Sequence, residues 1–385
     1  MARHRQAAAL TAIRADRASR IPPTTPDRVL RRGRAATAAR GNPMPPVSMR
    51  AMCMRRRRPS ESRPFRTHRP GRRRARVRGA ALAVGMAATV VGVAWVAGKV
   101  RGGTALAGAG AQALDPGAFS PGACMSLSPT HGNRHLTVFL DAGHGGVDPG
   151  AVGTTASGAT IYEADETLPV ELDAAAQLRA DGFRVVVSRT GDTSVVRLTN
   201  VELAGGELSL QGAHDDVAAR DVCANLAHAD LLVGIYFDSG ASASDSGSLT
   251  TYDTARPFAA ANLRLATLVQ EDVLSAMNAH GWGIPDAGVV SDVSEGSSVS
   301  TTSTGPLATA AANYDHVLLL GPAMAGFFST PSQMPGALTE PLFITDPEEG
   351  SLAASAPGQA AIADGVASAV EQYFAVPGST TNAPT

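Results

Sequence analysis

Short apolar runs alternate with stretches of helical periodicity from residue 136 to residue 374. Leu136–Leu140 (LTVFL), Phe183–Ser188 (FRVVVS), Asp230–Asp238 (DLLVGIYFD), Leu249–Tyr252 (LTTY) and Val317–Leu320 (VLLL) have the length and apolar content of strands. A further strand begins near residue 337. Between these runs, apolar positions recur every three or four residues: Leu168, Leu172, Ala175 and Leu178, then Leu263, Leu265, Leu268, Val269 and Leu274, then Ile362, Val366, Val370 and Phe374. Helices are therefore expected from about Asp165 to a stop at Asp181-Gly182, and over Asp215–Ala229, Ala259–Met277 and Gln359–Phe374. Residues 203–214 read as a loop, and the polar, small-residue segment 281–304 predicts no element. Strands that alternate with helices in this way imply an α/β fold, a mostly parallel sheet with helices on both faces.

The N-terminal quarter lacks this pattern. Residues 1–78 are rich in Arg, Ala and Pro and are expected to be a disordered basic tail. Residues 79–98 (GAALAVGMAATVVGVAWVAG) then run for twenty residues without a charge, about the roughly 20 apolar residues that a membrane helix needs. The clusters Arg55–Arg58 and Arg72–Arg74 precede this run, which keeps that side in the cytoplasm and exports everything after it. Two outcomes stay open: a single-pass anchor, or a long signal peptide cut near Ala105-Leu106-Ala107. Residues 99–133 read as a flexible linker and 376–385 as a polar tail.

Charge sharpens the division. Of 33 Lys and Arg, 25 fall in residues 1–101, with three of the 34 Asp and Glu; the rest of the chain carries eight basic against 31 acidic residues. A basic tail could bind nucleic acid, but with an apolar span behind it no nucleic-acid partner is expected. An acidic exported domain gains no long-range attraction to an acidic polymer, so recognition must come from a groove. Cys53 lies before the apolar run. Cys124 and Cys223 lie after it, in the compartment where disulfides persist, and are either a bridge or two buried thiols.

The candidate chemistry begins where the strand Leu136–Leu140 runs into Asp141-Ala142-Gly143-His144-Gly145-Gly146-Val147-Asp148-Pro149-Gly150-Ala151. A histidine in a glycine-rich turn at the carboxyl end of a strand is placed where open α/β sheets bind ligands. This stretch resembles the signature of the zinc-dependent N-acetylmuramoyl-L-alanine amidases of the amidase-3 type, over about residues 134–375. The resemblance implies a three-layer α/β/α domain, monomeric, in the cell envelope, with Zn²⁺ as cofactor and peptidoglycan as substrate.

It also implies roles for individual residues. His144 would be one zinc ligand and Glu163, five residues ahead of Leu168, the second; Glu166 could equally be the acidic residue of that helix's first turn. Glu340, in Leu338-Thr339-Glu340-Pro341-Leu342, matches the catalytic glutamate that takes a proton from water as the amide between N-acetylmuramic acid and L-alanine is cleaved. Arg220 and Asn225 match structural hydrogen-bonding positions. The sequence departs from the family at Gly234-Ile235-Tyr236-Phe237-Asp238, where Tyr236 stands in the slot of the third ligand histidine. Asp238, on the same strand face, is the other candidate. His214, His228, His280 and His316 have no spacing that places them at the site. The alternative function is a catalytically inactive amidase-like domain that binds peptidoglycan or regulates wall synthesis.

Overall fold

The computed structural model describes residues 110–295 and 305–375. The basic tail 1–78, the apolar span 79–98, the cleavage position near Ala107 and the polar tail 376–385 lie outside the described residues. Among the described residues, no helix is long and apolar enough to cross a membrane.

Twelve strands and seven helices follow one another in the described chain: β1 (Ala111–Ala113), β2 (Ala123–Leu127), β3 (Thr137–Ala142), β4 (Val152–Thr154), β5 (Thr160–Tyr162), α1 (Glu163–Ala180), β6 (Arg184–Arg189), β7 (Leu203–Ala204), β8 (Glu207–Leu208), α2 (Leu210–Leu226), β9 (Leu231–Ile235), β10 (Ser248–Tyr252), α3 (Ala259–Ala279), β11 (Asp286–Ser291), α4 (Asp292–Glu295), α5 (Pro306–Ala312), β12 (Gly336–Glu340), α6 (Pro347–Ala353) and α7 (Ala356–Ala375). Eight strands form one sheet in the order β1-β2-β6-β3-β9-β12-β10-β11.

Period-two alternation sorts the strand side chains between two cores. Val138, Leu140, Val185, Val187, Leu231, Val233, Ile235 and Ala337 face one way, onto α1, α3 and α7. Phe139, Val186, Leu232 and Leu338 face the other way, onto α2 and the segment around Leu319 and Leu320. The result is helix, sheet, helix in three layers. Gly365 lets α7 lie close to α3, since a Cβ there would fall 2.4 Å from Val273 Cα.

The sheet is mixed rather than mostly parallel. The central strands β6, β3, β9 and β12 are mutually parallel. β2 runs antiparallel to β6, β1 to β2, and β10 to β12. The strands β1 and β2 also correct the expected linker over 99–133, because residues 111–127 belong to the sheet. Their short segments AQA and ACMSL carry little alternation. The Cys124–Cys223 disulfide, with Cα atoms 5.7 Å apart, ties β2 to α2.

Three further expectations change. Val317–Leu320 is a turn and not a strand; Leu319 and Leu320 are buried against the second core, so the run is apolar without joining the sheet. The polar segment 281–304 contains β11 and α4, which add an edge strand beside β10, while residues 296–304 lie outside the described residues. The loop expected over 203–214 is the β7–β8 hairpin followed by the first turn of α2, where the Ser209 side chain accepts from Gly212 N.

Strand order positions the site. From β3 the chain crosses through α1 on one face to β6, then through α2 on the other face to β9, on the opposite side of β3. The strand order therefore reverses between β3 and β9. Loops leaving their carboxyl ends diverge to opposite faces and open a crevice, the usual ligand position in such sheets.

Candidate active site

The turn after β3 displays His144 in that crevice. Gly143 N donates to Ile235 O at 3.0 Å, and Gly145 and Asp148 exchange backbone hydrogen bonds of 2.8 and 3.3 Å. His144 has φ of 61°, in the left-handed region that non-glycine residues seldom adopt. Such positions persist where surrounding contacts over-determine them, commonly at functional sites. Here the Arg220 guanidinium holds the His144 carbonyl at 2.8 Å.

Two carboxylates grip the imidazole. Asp148 Oδ2 lies 2.9 Å from Nδ1, and Glu163 Oε2 lies 3.1 Å from Nε2. Glu163 is the first residue of α1 and is buried, with Oε2 accepting from Ala151 N at 2.9 Å and Oε1 from Phe237 N at 3.0 Å. The loop passes close by only because residue 150 is glycine: at φ of +66°, a Cβ there would fall 2.7 Å from both Glu163 Oε2 and His144 Cδ2. Burial alone would lower the His144 pKa, but Glu163 and Asp148 outweigh it and push it up to about 10. Imidazole nitrogen beside carboxylate oxygen is a donor pair suited to Zn²⁺, and Asp148 is the outer carboxylate that orients such a histidine. The pair His144 and Glu163 supplies two of the three protein donors that a catalytic Zn²⁺ site uses.

The third-ligand candidates are placed differently. Tyr236 stands next to His144, edge-on with ring centroids 5.4 Å apart, and packs so tightly that a Cβ on Gly143 would fall 2.5 Å from its ring. Its hydroxyl, however, donates to Asp141 Oδ2 at 3.0 Å. Burial and the Asp141 carboxylate raise its pKa well above the usual phenol value, so it stays a neutral phenol turned into the domain. The Tyr236 hydroxyl, expected as a third donor, is thus bonded to Asp141. Asp238 Oδ1 accepts from Ser239 N at 2.6 Å, and burial, with a contribution from Glu163, raises its pKa. Among the described residues, no further His, Cys, Asp or Glu joins His144 and Glu163 in a close three-donor cluster.

Glu340 ends β12, opposite Leu249 of β10. Because β12 is parallel to β9 and β9 to β3, Glu340 lies at the same carboxyl edge as His144 and Tyr236.

A buried polar network supports the site. Arg220 donates to Asp141 Oδ1 at 2.5 Å, Ala142 O at 2.7 Å and Asp216 Oδ2 at 2.8 Å. Asn225 bridges Pro331 O and Gln333 N. Arg189, in the stretch Arg189-Thr190-Gly191-Asp192 that resembles a family pattern after the second strand, donates to Gly143 O at 3.2 Å, Ala164 O at 2.6 Å and Thr167 Oγ1 at 3.0 Å. It thereby pins the end of β3 to the start of α1 and sets the spacing of His144 from Glu163. Sequence reading did not single out Glu171; it is fully buried, and burial pushes its pKa up to about 7.

The family model of the N-acetylmuramoyl-L-alanine amidases (Amidase_3) matches residues 138–372, and the chain belongs to this family. The uncharacterized protein YqiI of Bacillus subtilis is 25% identical over 239 residues, which cover 62% of this chain and 84% of YqiI. The N-acetylmuramoyl-L-alanine amidase LytC of the same organism is 30% identical over 151 residues, 39% of this chain and 25% of LytC. Among solved structures, the N-acetylmuramoyl-L-alanine amidase AmiC2 of Nostoc punctiforme is 22% identical with a TM-score of 0.43, covering 64% of this chain and all of AmiC2.

Proposed function

We propose that the chain is a peptidoglycan hydrolase that cleaves the amide between N-acetylmuramic acid and the L-alanine of the stem peptide. The observation that carries this reading is His144 held between Glu163 and Asp148 at the carboxyl edge of the sheet, inside the segment matched by the family. His144 and Glu163 would hold Zn²⁺. When bound, the ion supplies a Lewis acid and lowers the pKa of water toward about 7.

The chain's own groups do the rest. Asp148 keeps His144 Nδ1 hydrogen-bonded, which leaves Nε2 directed at Glu163. Glu340 accepts the proton of the attacking water and returns it to the departing alanine nitrogen. Arg189 and Arg220 hold the carbonyls of Gly143 and His144, which fixes the turn while substrate binds. The apolar span 79–98 would keep the domain in the cell envelope beside its polymer, anchored or released near Ala107.

The test is release of stem peptide from purified muropeptide by the full-length chain, with and without a chelator. Peptide release that stops on chelation and in His144→Ala is the expected result. A chain that binds wall fragments and releases no peptide under any metal condition would overturn the enzyme reading in favour of an inactive wall-binding domain. Asp148→Asn should weaken metal binding about 10- to 100-fold, the usual cost of losing a carboxylate behind a ligand histidine. Competition with a chelator of known affinity measures it, and an unchanged affinity would remove Asp148 from this role.

A further inference from the structure

A second group of donors lies far from His144. Asp253 follows β10, Asp292 follows β11, and His316 sits in the turn after α5. Because β10 runs antiparallel to β12, its carboxyl end meets the amino end of β12: Asn262 joins them, with Nδ2 donating to Asp253 O and Oδ1 accepting from Gly336 N. β11 is parallel to β10 and ends at the same edge. The cluster therefore occupies the edge of the sheet opposite the one that carries His144, Tyr236 and Glu340.

Its geometry is that of a ligand set. His316 Nδ1 lies 2.8 Å from Asp253 Oδ2 and 3.0 Å from Asp292 Oδ2, and the three donor atoms lie within 4.8 Å of one another. One imidazole nitrogen carries at most one proton, so it cannot donate to both carboxylates. Donors on a tetrahedral Zn²⁺ at about 2.0–2.1 Å are about 3.3 Å apart, so the two His316–carboxylate distances lie within about half an ångström of those in a coordinated set.

Burial supplies an independent observation. Asp253 and Asp292 are both 0% exposed. Asp253 Oδ2 faces the His316 imidazole at 2.8 Å, and among the described residues Asp292 Oδ1 has no hydrogen-bond partner. Asp253 is already oriented by its other oxygen, which accepts from Ala255 N at 2.7 Å and Arg256 N at 2.8 Å. Arg256, the nearby cation, directs its guanidinium to the carbonyls of Leu320, Gly321 and Ser332. Buried carboxylates are usually paired or bound to metal. A nitrogen donor among the three disfavours Mg²⁺ and Ca²⁺, which prefer oxygen, and suits Zn²⁺.

We propose that Asp253, Asp292 and His316 form a second metal site, a structural one for Zn²⁺, that ties the ends of β10 and β11 to the turn at His316. The test counts Zn²⁺ on the full-length chain carrying His144→Ala, which removes the first site and so separates this proposal from the catalytic one. One equivalent retained after dialysis, with a Zn²⁺-dependent rise in Tm, is expected. Adding His316→Gln in that background should abolish both. No Zn²⁺ on the His144→Ala chain, or one equivalent that survives His316→Gln, would overturn the proposal. If the double variant does not fold, the absorption spectrum of Co²⁺ bound to the His144→Ala chain decides: nitrogen and oxygen donors in low coordination support the site, and a spectrum of aqueous Co²⁺ rejects it.

Discussion

Arg220→Met should destabilise the domain by about 3–5 kcal/mol, the range for removing one partner from a buried ion pair. The guanidinium is 1% exposed and donates to two carboxylates, Asp141 and Asp216, and to the carbonyls of Ala142 and His144. Methionine fills much of the same space and supplies no donor. Asp141 would keep only the Tyr236 hydroxyl as a side-chain partner, in a position with no exposure to water. Urea unfolding should show a lower midpoint with an unchanged slope. Function should fall as well, since the carbonyl that Arg220 holds belongs to His144 in its left-handed conformation. A midpoint that does not move would mean that water reaches the network and replaces the guanidinium.

Cys223→Ser should cost about 2–5 kcal/mol, the usual range for losing a native disulfide. The bridge spans 99 residues of sequence, and loops of about 100 residues stand near the upper end, about 4.7 kcal/mol, in the loop-entropy estimate. Both cysteines are fully buried in the core beneath α2, so the serine hydroxyl adds a desolvation cost. The loss should be specific to the bridge: wild-type chain in strong reductant should melt close to the variant, and reductant should leave the variant unchanged. If reduction does not lower the wild-type Tm, the bridge contributes little, and β2 is held by its pairing with β6 and β1.

Much of the domain is legible from local pattern. The short, continuous apolar runs in FRVVVS and DLLVGI identify strands buried on both faces, and the helical spacing at Leu168, Leu172 and Leu178 identifies α1. His144 is legible from its glycine turn, and Glu163 from its resemblance to the family's spacing ahead of Leu168. One ends a glycine turn after a strand and the other opens the next helix, so nineteen residues of local structure nearly suffice to bring them together.

The failures also have physical causes. Val317–Leu320 is apolar because Leu319 and Leu320 are buried, and burial alone does not say whether a sheet edge is free to accept a strand. β1, β2 and β11 are short or polar and acquire strand geometry from the partner that they pair with. Tyr236 aligns with a ligand position, yet where its hydroxyl points depends on Asp141, 95 residues away, and on the Arg220 that charges that pocket.

The sequence by itself determined the central strands and the long helices and that the glycine turn presents His144, while the resemblance to the family pointed to Glu163. The strands, helices and turn rest on periodicity and short-range geometry. Only the tertiary structure decided that Asp148 takes the other imidazole nitrogen, that Tyr236 turns away, and that Asp253, Asp292 and His316 converge at the opposite edge. Each of these depends on direction in space: a side-chain torsion within the turn, a buried charge supplied from another helix, and β10 running against β12. Hydrophobic pattern carries the period of a strand and not its direction or neighbours, so donors that meet through strand order stay invisible until the sheet is assembled.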